Sequence, residues 1–144
     1  MSAKPFVDTN VLVYAIAGLG PEAKKSAQAC ALLQMGEVCL STQVLGEFYS
    51  AATSPRRQVP LTHVQATAWV QFWKRHDVRE ITVPHVDLAL EICDSFQVSY
   101  YDALIVAAAR LAECQVLYSE DLNPGQDYGG VRVLNPFQDA HGTD

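Results

Sequence analysis

The chain has 144 residues, of which 49% are hydrophobic and 18% charged, and its net charge is −6 at pH 7. This composition excludes a disordered chain, and the length suits one domain, residues 1–144, with a sizeable core. Apolar runs fall short of the roughly 20 residues that span a bilayer. Asp8 and Asn10 interrupt the apolar start where a signal peptide needs a continuous run, so we expect a cytoplasmic protein without membrane segments.

Extended and helical patterns alternate along the chain. Short apolar runs predict five strands, at 5–8, 38–41, 78–83, 116–119 and 131–136. Caps and apolar periodicity predict helices at about 11–17, 22–35, 42–52, 63–75, 84–96 and 100–112, followed by a flexible tail from about residue 138. This alternation predicts an α/β protein whose central, mostly parallel five-stranded sheet is covered by helices on both faces.

The four cysteines do not favour a zinc site. They are Cys30, Cys39, Cys93 and Cys114, and no two of them have the close spacing of paired metal ligands. We interpret them as small buried residues in a reducing compartment.

Asp8 stands directly after the first predicted strand, in the stretch FVDTN. Ligands of open α/β sheets bind at the carboxyl ends of the strands, so an acid at this place is a candidate for a site. Taken alone, however, Asp8 is better explained as the N-cap of the next helix, a role worth about 1 kcal/mol.

Further acids occur at comparable places. Glu47 lies at the edge of an apolar helix stripe, where a carboxylate reaching to solvent is the alternative. Asp102 completes the capping-box pattern SYYD, and capping is compatible with metal binding. Glu120 and Asp121 follow the fourth strand, where a polar loop accounts for one of them. Carboxylates gathered at one sheet edge repel one another and need a cation, and an all-oxygen donor set selects Mg²⁺ or Mn²⁺.

Four segments carry a family resemblance. FVDTNVLVYA, STQVLGEFY, VSYYDALIVAAA and VLYSEDLNPGQDYGGVRVLNPF resemble the motifs of PIN-domain nucleases, specifically the VapC-type toxins of prokaryotic toxin–antitoxin pairs. They stand in the family's order and span nearly the whole chain. The resemblance implies a PIN-like three-layer α/β/α sandwich.

The resemblance also assigns roles to residues. Asp8, Glu47, Asp102 and Asp121 match the family's acidic positions, which are both catalytic and metal-binding. Asn10 and Ser119 match polar positions that orient the first carboxylate, and Thr9 is a weaker supporting candidate. The resemblance leaves Glu120 open between a supporting role and a solvent-facing one.

The activity implied by the resemblance is metal-assisted hydrolysis of RNA phosphodiester bonds. One or two Mg²⁺ or Mn²⁺ ions would activate a water and stabilise the developing charge, and one carboxylate would also take the proton of that water. The implied partners are the RNA substrate, a cognate antitoxin protein that covers the active groove, and a second copy of the chain in a homodimer.

The net charge argues mildly against a nucleic-acid partner. Local basic pairs could contact phosphates, although solvated helix faces are the simpler explanation for any one pair. The pairs are Lys24–Lys25, Arg56–Arg57 and Lys74–Arg75.

Three other functions compete with the nuclease. A phosphotransferase of the haloacid-dehalogenase type needs a second Asp two residues after the first, where this chain has Asn10. A receiver-like phosphoacceptor domain needs an acidic pair near the first strand and a Lys after a late strand, and neither is evident. A non-catalytic PIN-like module that binds RNA or protein stays open, although four retained acids argue against it.

Overall fold

A computed structural model of the chain describes residues 4–138. Residues 139–144, the outer part of the tail expected to be flexible, lie outside the described residues. The strands are β1 (Phe6–Val7), β2 (Cys39–Ser41), β3 (Asp77–Arg79), β4 (Val116–Tyr118) and β5 (Arg132–Leu134). They form one sheet in the order β3-β2-β1-β4-β5, and every pairing between neighbours is parallel. The sheet is therefore wholly parallel where a mostly parallel one was predicted.

Six helices are present among the described residues. They are α1 (Thr9–Ala15), α2 (Ala23–Gln34), α3 (Thr42–Ala52), α4 (His63–Trp73), α5 (Val83–Phe96) and α6 (Tyr100–Leu111). The connections from β1 to β2 and from β2 to β3 run in one direction across the sheet, whereas the connection from β3 to β4 runs back. Since parallel crossovers are right-handed, α1 to α4 lie on one face and α5 and α6 on the other. The predicted three-layer architecture is confirmed.

The core consists of the sheet and the helix faces against it. Seven consecutive residues of α6, Ala103–Ala109, are buried, so this helix has no solvent-facing stripe over that length. The small alanines let α6 approach both the sheet and α5 closely. An all-round apolar helix of this kind is expected only for a fully enclosed element.

Helix starts follow the predicted caps. Asp8 caps α1 by accepting from the Thr9 N–H, and Ser41 caps α3 by accepting from the Val44 N–H. Thr62 forms a reciprocal capping box with Gln65 at the start of α4. These caps fix where each helix begins, because they satisfy N–H groups that have no partner inside the helix.

Several predicted boundaries are wrong. The strand expected at 78–83 is only Asp77–Arg79, because it is an edge strand that pairs with three residues of β2 and then leaves the sheet. Thr82 instead precedes α5, which begins at Val83 rather than at residue 84 or 85. The first helix starts at Thr9, two residues earlier than predicted, because Asp8 is its cap.

The chain reverses its direction across the sheet between β1 and β4. These neighbouring strands end together, since Val7 is in register with Tyr118 and the Asp8 N–H donates to the Tyr118 carbonyl at 3.0 Å. In open parallel sheets, such a reversal leaves a crevice at the carboxyl ends of the strands, and ligands bind there. Asp8 and Ser119, the residues after the two strands, lie at its floor.

Between residues 4 and 138, none of the helices has the length and apolar character that crossing a bilayer requires.

Candidate active site

Asp8 is the buried centre of the crevice, with only 5% of its surface exposed. Its Oδ1 accepts a hydrogen bond from the Thr9 N–H at 2.7 Å, and its Oδ2 accepts one from the Ser119 hydroxyl at 2.7 Å. The cap and the site are therefore the same carboxylate. The two explanations offered for Asp8 from the sequence do not exclude each other.

Burial raises the pKa of the Asp8 carboxyl from its usual range to about 6. The hydrogen bonds from Ser119 and Thr9 oppose that rise, and the negative charges of Asp121 and Glu47 add to it. The ionised form of Asp8 is unfavourable, because it is desolvated and is repelled by two other carboxylates. A bound cation would relieve both effects.

Glu47 reaches the crevice from α3 and is held by two side chains. Its Oε1 accepts from the Thr9 hydroxyl at 2.8 Å, and its Oε2 accepts from the Gln43 amide at 3.1 Å. Glu47 therefore does not extend freely into solvent, which was the alternative for a residue at the edge of an apolar stripe. Thr9 connects it directly to the segment that carries Asp8.

Asp121 lies at the exposed rim of the same crevice. Its Oδ2 accepts from the Asn10 amide at 3.0 Å, and its N–H donates to Ser119 Oγ at 3.1 Å. Ser119 is buried and donates its own proton to Asp8, so one hydroxyl connects both acids. The Asn10 carbonyl oxygen accepts from the Glu120 N–H at 3.3 Å, which fixes the loop after β4.

Asp102 lies in the first turn of α6, half-buried, and its N–H donates to the Ser99 cap at 3.4 Å. Burial raises the pKa of Tyr128, and the negative charge of Asp102 adds to that rise. The connection of Asp102 to Glu47 is indirect. The Gln43 amide that binds Glu47 also donates to the carbonyl of Tyr101, the residue before Asp102, at 3.1 Å.

Glu120 points away from Asp8 and is bound to α1 and α2. Its Oε1 accepts from the Tyr14 hydroxyl at 2.7 Å, and its Oε2 is paired with the Lys25 ammonium. The Lys25 ammonium also lies over the rings of Tyr14 and Phe137. Hydrogen bonding to Glu120 is the main cause that raises the pKa of Lys25. Glu120 therefore anchors the loop that carries Ser119 and Asp121.

The chemical type of the donor atoms fits a hard divalent cation, although the side chains are not arranged as a complete coordination shell. Within residues 4–138, no group of three or more His, Cys, Asp or Glu side chains is close enough to hold a metal ion. The donors that converge on the crevice are nevertheless all oxygens, and the charges of Glu47 and Asp121 both act on Asp8. Oxygen donors with a surplus of negative charge suit Mg²⁺ or Mn²⁺.

The sequence of the chain matches the model of a known protein family. The model of the PIN domain matches residues 6–125. The chain belongs to the PIN domain family. The resemblance to the PIN-domain family found in the sequence is thereby confirmed, and the matched range includes all four acids assigned by that resemblance. No curated protein sequence matches the chain.

Solved structures share the architecture of this PIN domain at low sequence identity. A toxin–antitoxin complex from Klebsiella pneumoniae superimposes with a TM-score of 0.69 at 17% identity, covering 93% of this chain and 98% of that one. The VapC20 toxin of Mycobacterium tuberculosis, which cleaves the sarcin–ricin loop, gives 0.65 at 24% identity over 82% and 90%. DNA-bound VapBC from Salmonella typhimurium gives 0.64 at 21% identity over 92% and 98%. These likenesses concern the fold.

Three side chains of the PIN domain site were missed in the sequence. Gln43 precedes Glu47 by four residues on α3, and this helical spacing is the signal that could have identified it. Tyr14 and Lys25 bind Glu120 across 106 and 95 residues, and no local pattern indicates such a pairing. Lys25 had been considered as one of the basic residues available to phosphates, but here its ammonium is engaged by Glu120.

Proposed function

We propose that this PIN domain, residues 1–144, is a Mg²⁺- or Mn²⁺-dependent endoribonuclease and the toxin of a type II toxin–antitoxin pair. The observation that carries the proposal is the buried carboxylate of Asp8, whose pKa is raised by burial and by the charges of Asp121 and Glu47. Such a desolvated, repelled carboxylate at the ligand-binding edge of a parallel sheet is suited to a cation. Membership of the PIN family supports nuclease chemistry over phosphotransfer or phosphoacceptance.

In this proposal Asp8, Glu47, Asp102 and Asp121 hold the metal. When bound, the cation supplies a Lewis acid that polarises the phosphodiester and lowers the pKa of the attacking water. The protein contributes orientation. Thr9 and Ser119 fix the two oxygens of Asp8, and hydrogen bonds to Glu47 and Asp121 restrict their motion in the same way. One of the carboxylates takes the proton of the water as the water oxygen bonds to phosphorus. The bond from phosphorus to the leaving oxygen breaks in the same displacement, and that oxygen takes up a proton from solvent.

An antitoxin partner is supported by a groove beside the crevice. A cavity of about 410 Å³ lies between the end of α1 and the connection from α3 to α4. Its lining is largely apolar and includes Tyr14, Pro21 and Val59, together with one acidic and one basic side chain, Glu22 and Arg57. Tyr14 also binds Glu120, so a chain seated in this groove would lie next to the loop that carries Asp121.

A homodimer in the cytoplasm completes the proposal. Large apolar side chains are exposed on α4 and α5, the helices before and after the edge strand β3, and exposed side chains of this kind are typical of contacts that are covered in solution. They are Val64 and Phe72 on α4 and Val83 and Leu90 on α5. Sedimentation of the purified chain at twice its 15.8 kDa mass supports the dimer, and a monomer at micromolar concentration contradicts it.

The decisive experiment is RNA cleavage by purified protein freed from any partner under denaturing conditions and refolded. We expect cleavage with Mn²⁺ or Mg²⁺, none with EDTA, and none with Asp8→Asn at either metal. Asp87→Asn, which removes an exposed acid from α5, is the matched control and should cleave as the wild type does. Absence of cleavage by the folded wild type with every divalent metal tested would instead favour a non-catalytic module that binds RNA or protein.

A further inference from the structure

Gln43 occupies a bridging position between two helices of the site. It projects from α3, half-buried, one helical turn before Glu47. Its Nε2 donates to Glu47 Oε2 at 3.1 Å and to the Tyr101 carbonyl at 3.1 Å. Tyr101 lies in the first turn of α6 and is followed directly by Asp102. One amide group therefore connects the carboxylate of α3 to the backbone that carries the acid of α6.

The orientation of this amide is fixed by chemistry. Both partners of Nε2, a carboxylate and a carbonyl, can only accept hydrogen bonds. A flipped amide would turn its oxygen toward two other oxygens, so the NH₂ group must face them. Its two hydrogens then match the two acceptors, and neither is left for other partners.

The oxygen of the same amide is buried and has no hydrogen-bond partner among the described residues. Burying a hydrogen-bond acceptor without a partner costs free energy. The amide oxygen of Gln43 therefore lowers the stability of the folded state. The NH₂ end must offset the cost. In the structure the NH₂ group hydrogen-bonds both Glu47 and the first turn of α6.

We propose that Gln43 is a positioning residue that sets the distance between Glu47 and Asp102. The inference rests on the proposed function, in which both acids hold the same cation. Without the bridge, Glu47 keeps only its bond from Thr9 and rotates more freely, while α6 loses its side-chain connection to α3 through the Tyr101 carbonyl. The two acids then reach a common cation less often, and its affinity falls.

Gln43→Met tests the inference, because methionine keeps the length of the side chain and removes both of its polar ends. Gln28→Met is the matched control. The oxygen of Gln28, on α2, is also buried without a partner, and its replacement removes the same kind of unfavourable group. Mn²⁺ binding is measured by the loss of the free-ion electron paramagnetic resonance signal, alongside the metal-free melting temperature.

We expect both methionine variants to melt at or above the wild-type temperature without metal. Only Gln43→Met should weaken Mn²⁺ binding, by about tenfold or more, and lower kcat rather than raise KM for RNA. A structural role alone would lower the melting temperature and leave the Mn²⁺ dissociation constant unchanged.

Asp8→Asn, measured in the same series, separates the two possible failures. Loss of Mn²⁺ binding in Asp8→Asn together with wild-type binding in Gln43→Met overturns the role of Gln43 alone. Unchanged Mn²⁺ binding in Asp8→Asn overturns the metal site, and with it the inference about Gln43.

Discussion

The hydroxyl of Thr9 donates a hydrogen bond to Glu47 Oε1 at 2.8 Å, across 38 residues of sequence. The N–H of the same residue donates to Asp8. Thr9 therefore contacts two of the four acids, one through its backbone and one through its side chain. From the sequence it was a weaker supporting candidate than Asn10 and Ser119, and its contacts make it central to the geometry of the crevice.

Removing only the hydroxyl of Thr9 should impair catalysis more than stability. Thr9→Val keeps the shape of the side chain and the backbone bond to Asp8 but releases Glu47. We expect kcat/KM for RNA to fall by about ten- to a hundredfold, since a hydrogen bond to a charged group is worth roughly 1.5 to 3 kcal/mol. Thr9→Ser should recover most of the activity. Thr53→Val, which removes a hydroxyl that donates to the Tyr49 carbonyl at the end of α3, is the control and should cleave normally.

Asp8→Asn should stabilise the metal-free protein at pH 8 while abolishing cleavage. The pKa of Asp8 is raised to about 6, so at higher pH its ionised carboxylate is desolvated and unfavourable in the folded state, whereas the same charge is solvated in the unfolded state. The raised pKa corresponds to about 3 kcal/mol, and weaker hydrogen bonding by the amide reduces the net gain to about 1 to 2 kcal/mol. We expect a rise in Tm of about 3 to 6 °C in EDTA.

The pH dependence of that stabilisation has a definite sign. Because the folded pKa of Asp8 lies above the unfolded one, wild-type stability is regained as pH falls through about 6. The difference in Tm between Asp8→Asn and the wild type should therefore be largest at pH 8 and shrink toward pH 5. A difference that stays constant from pH 8 to pH 5 would show that Asp8 is not desolvated in solution.

His76 should affect the pH dependence of stability in the opposite sense to Asp8, so that the protein becomes less stable as pH falls. Its buried Nδ1 accepts the Val38 N–H at 3.2 Å, and burial together with the Arg75 charge lowers its pKa, although Glu37 opposes this. A histidine whose folded pKa is lowered stabilises the protein above its unfolded pKa and loses that contribution as pH falls. Wild-type Tm should therefore fall more steeply than that of His76→Asn between pH 7 and pH 5. His63→Asn, at an exposed position, is the control and should follow the wild type.

Lys25→Met should destabilise the protein in a salt-dependent manner. The substitution leaves the half-buried Glu120 carboxylate with Tyr14 as its remaining side-chain donor in this cluster. We expect a loss of roughly 1 kcal/mol at low salt, and a smaller difference from the wild type in 1 M NaCl, where exposed ion pairs are screened. Thermal denaturation at both salt concentrations measures it. An equal loss in Arg56→Met, which removes an exposed cation from the connection between α3 and α4, would mean that the effect is not specific to Glu120.

The elements of this fold were predictable because their signals are local. Alternation of buried runs with capped helices predicted the five strands and the helices between them. The strand at 78–83 was predicted too long because its apolar residues resemble a strand as far as Val83. Its true end is decided by pairing with β2, which a local pattern does not contain.

The sequence supplied a set of candidate acids but not the network of contacts around them. The sequence indicated which carboxylates follow strands or begin helices, and the resemblance joined them. It did not indicate that Glu120 turns away to Lys25, or that Gln43 connects Glu47 to α6. Those partners depend on how helices far apart in sequence pack, and the sheet order determines that packing.

Because β1 and β4 are neighbours in the sheet, the surroundings of Asp8 are incomplete until β4 has been synthesised. Ser119 and Asp8 are 111 residues apart, yet their bond closes the floor of the crevice. A growing polypeptide made only as far as Gln115 already contains Asp8, Glu47 and Asp102 but lacks the strand that would hold the first of them. If the protein is a ribonuclease, a copy that lacks β4 therefore lacks the hydrogen bond that positions Asp8. The complete site forms only after β4 has been translated.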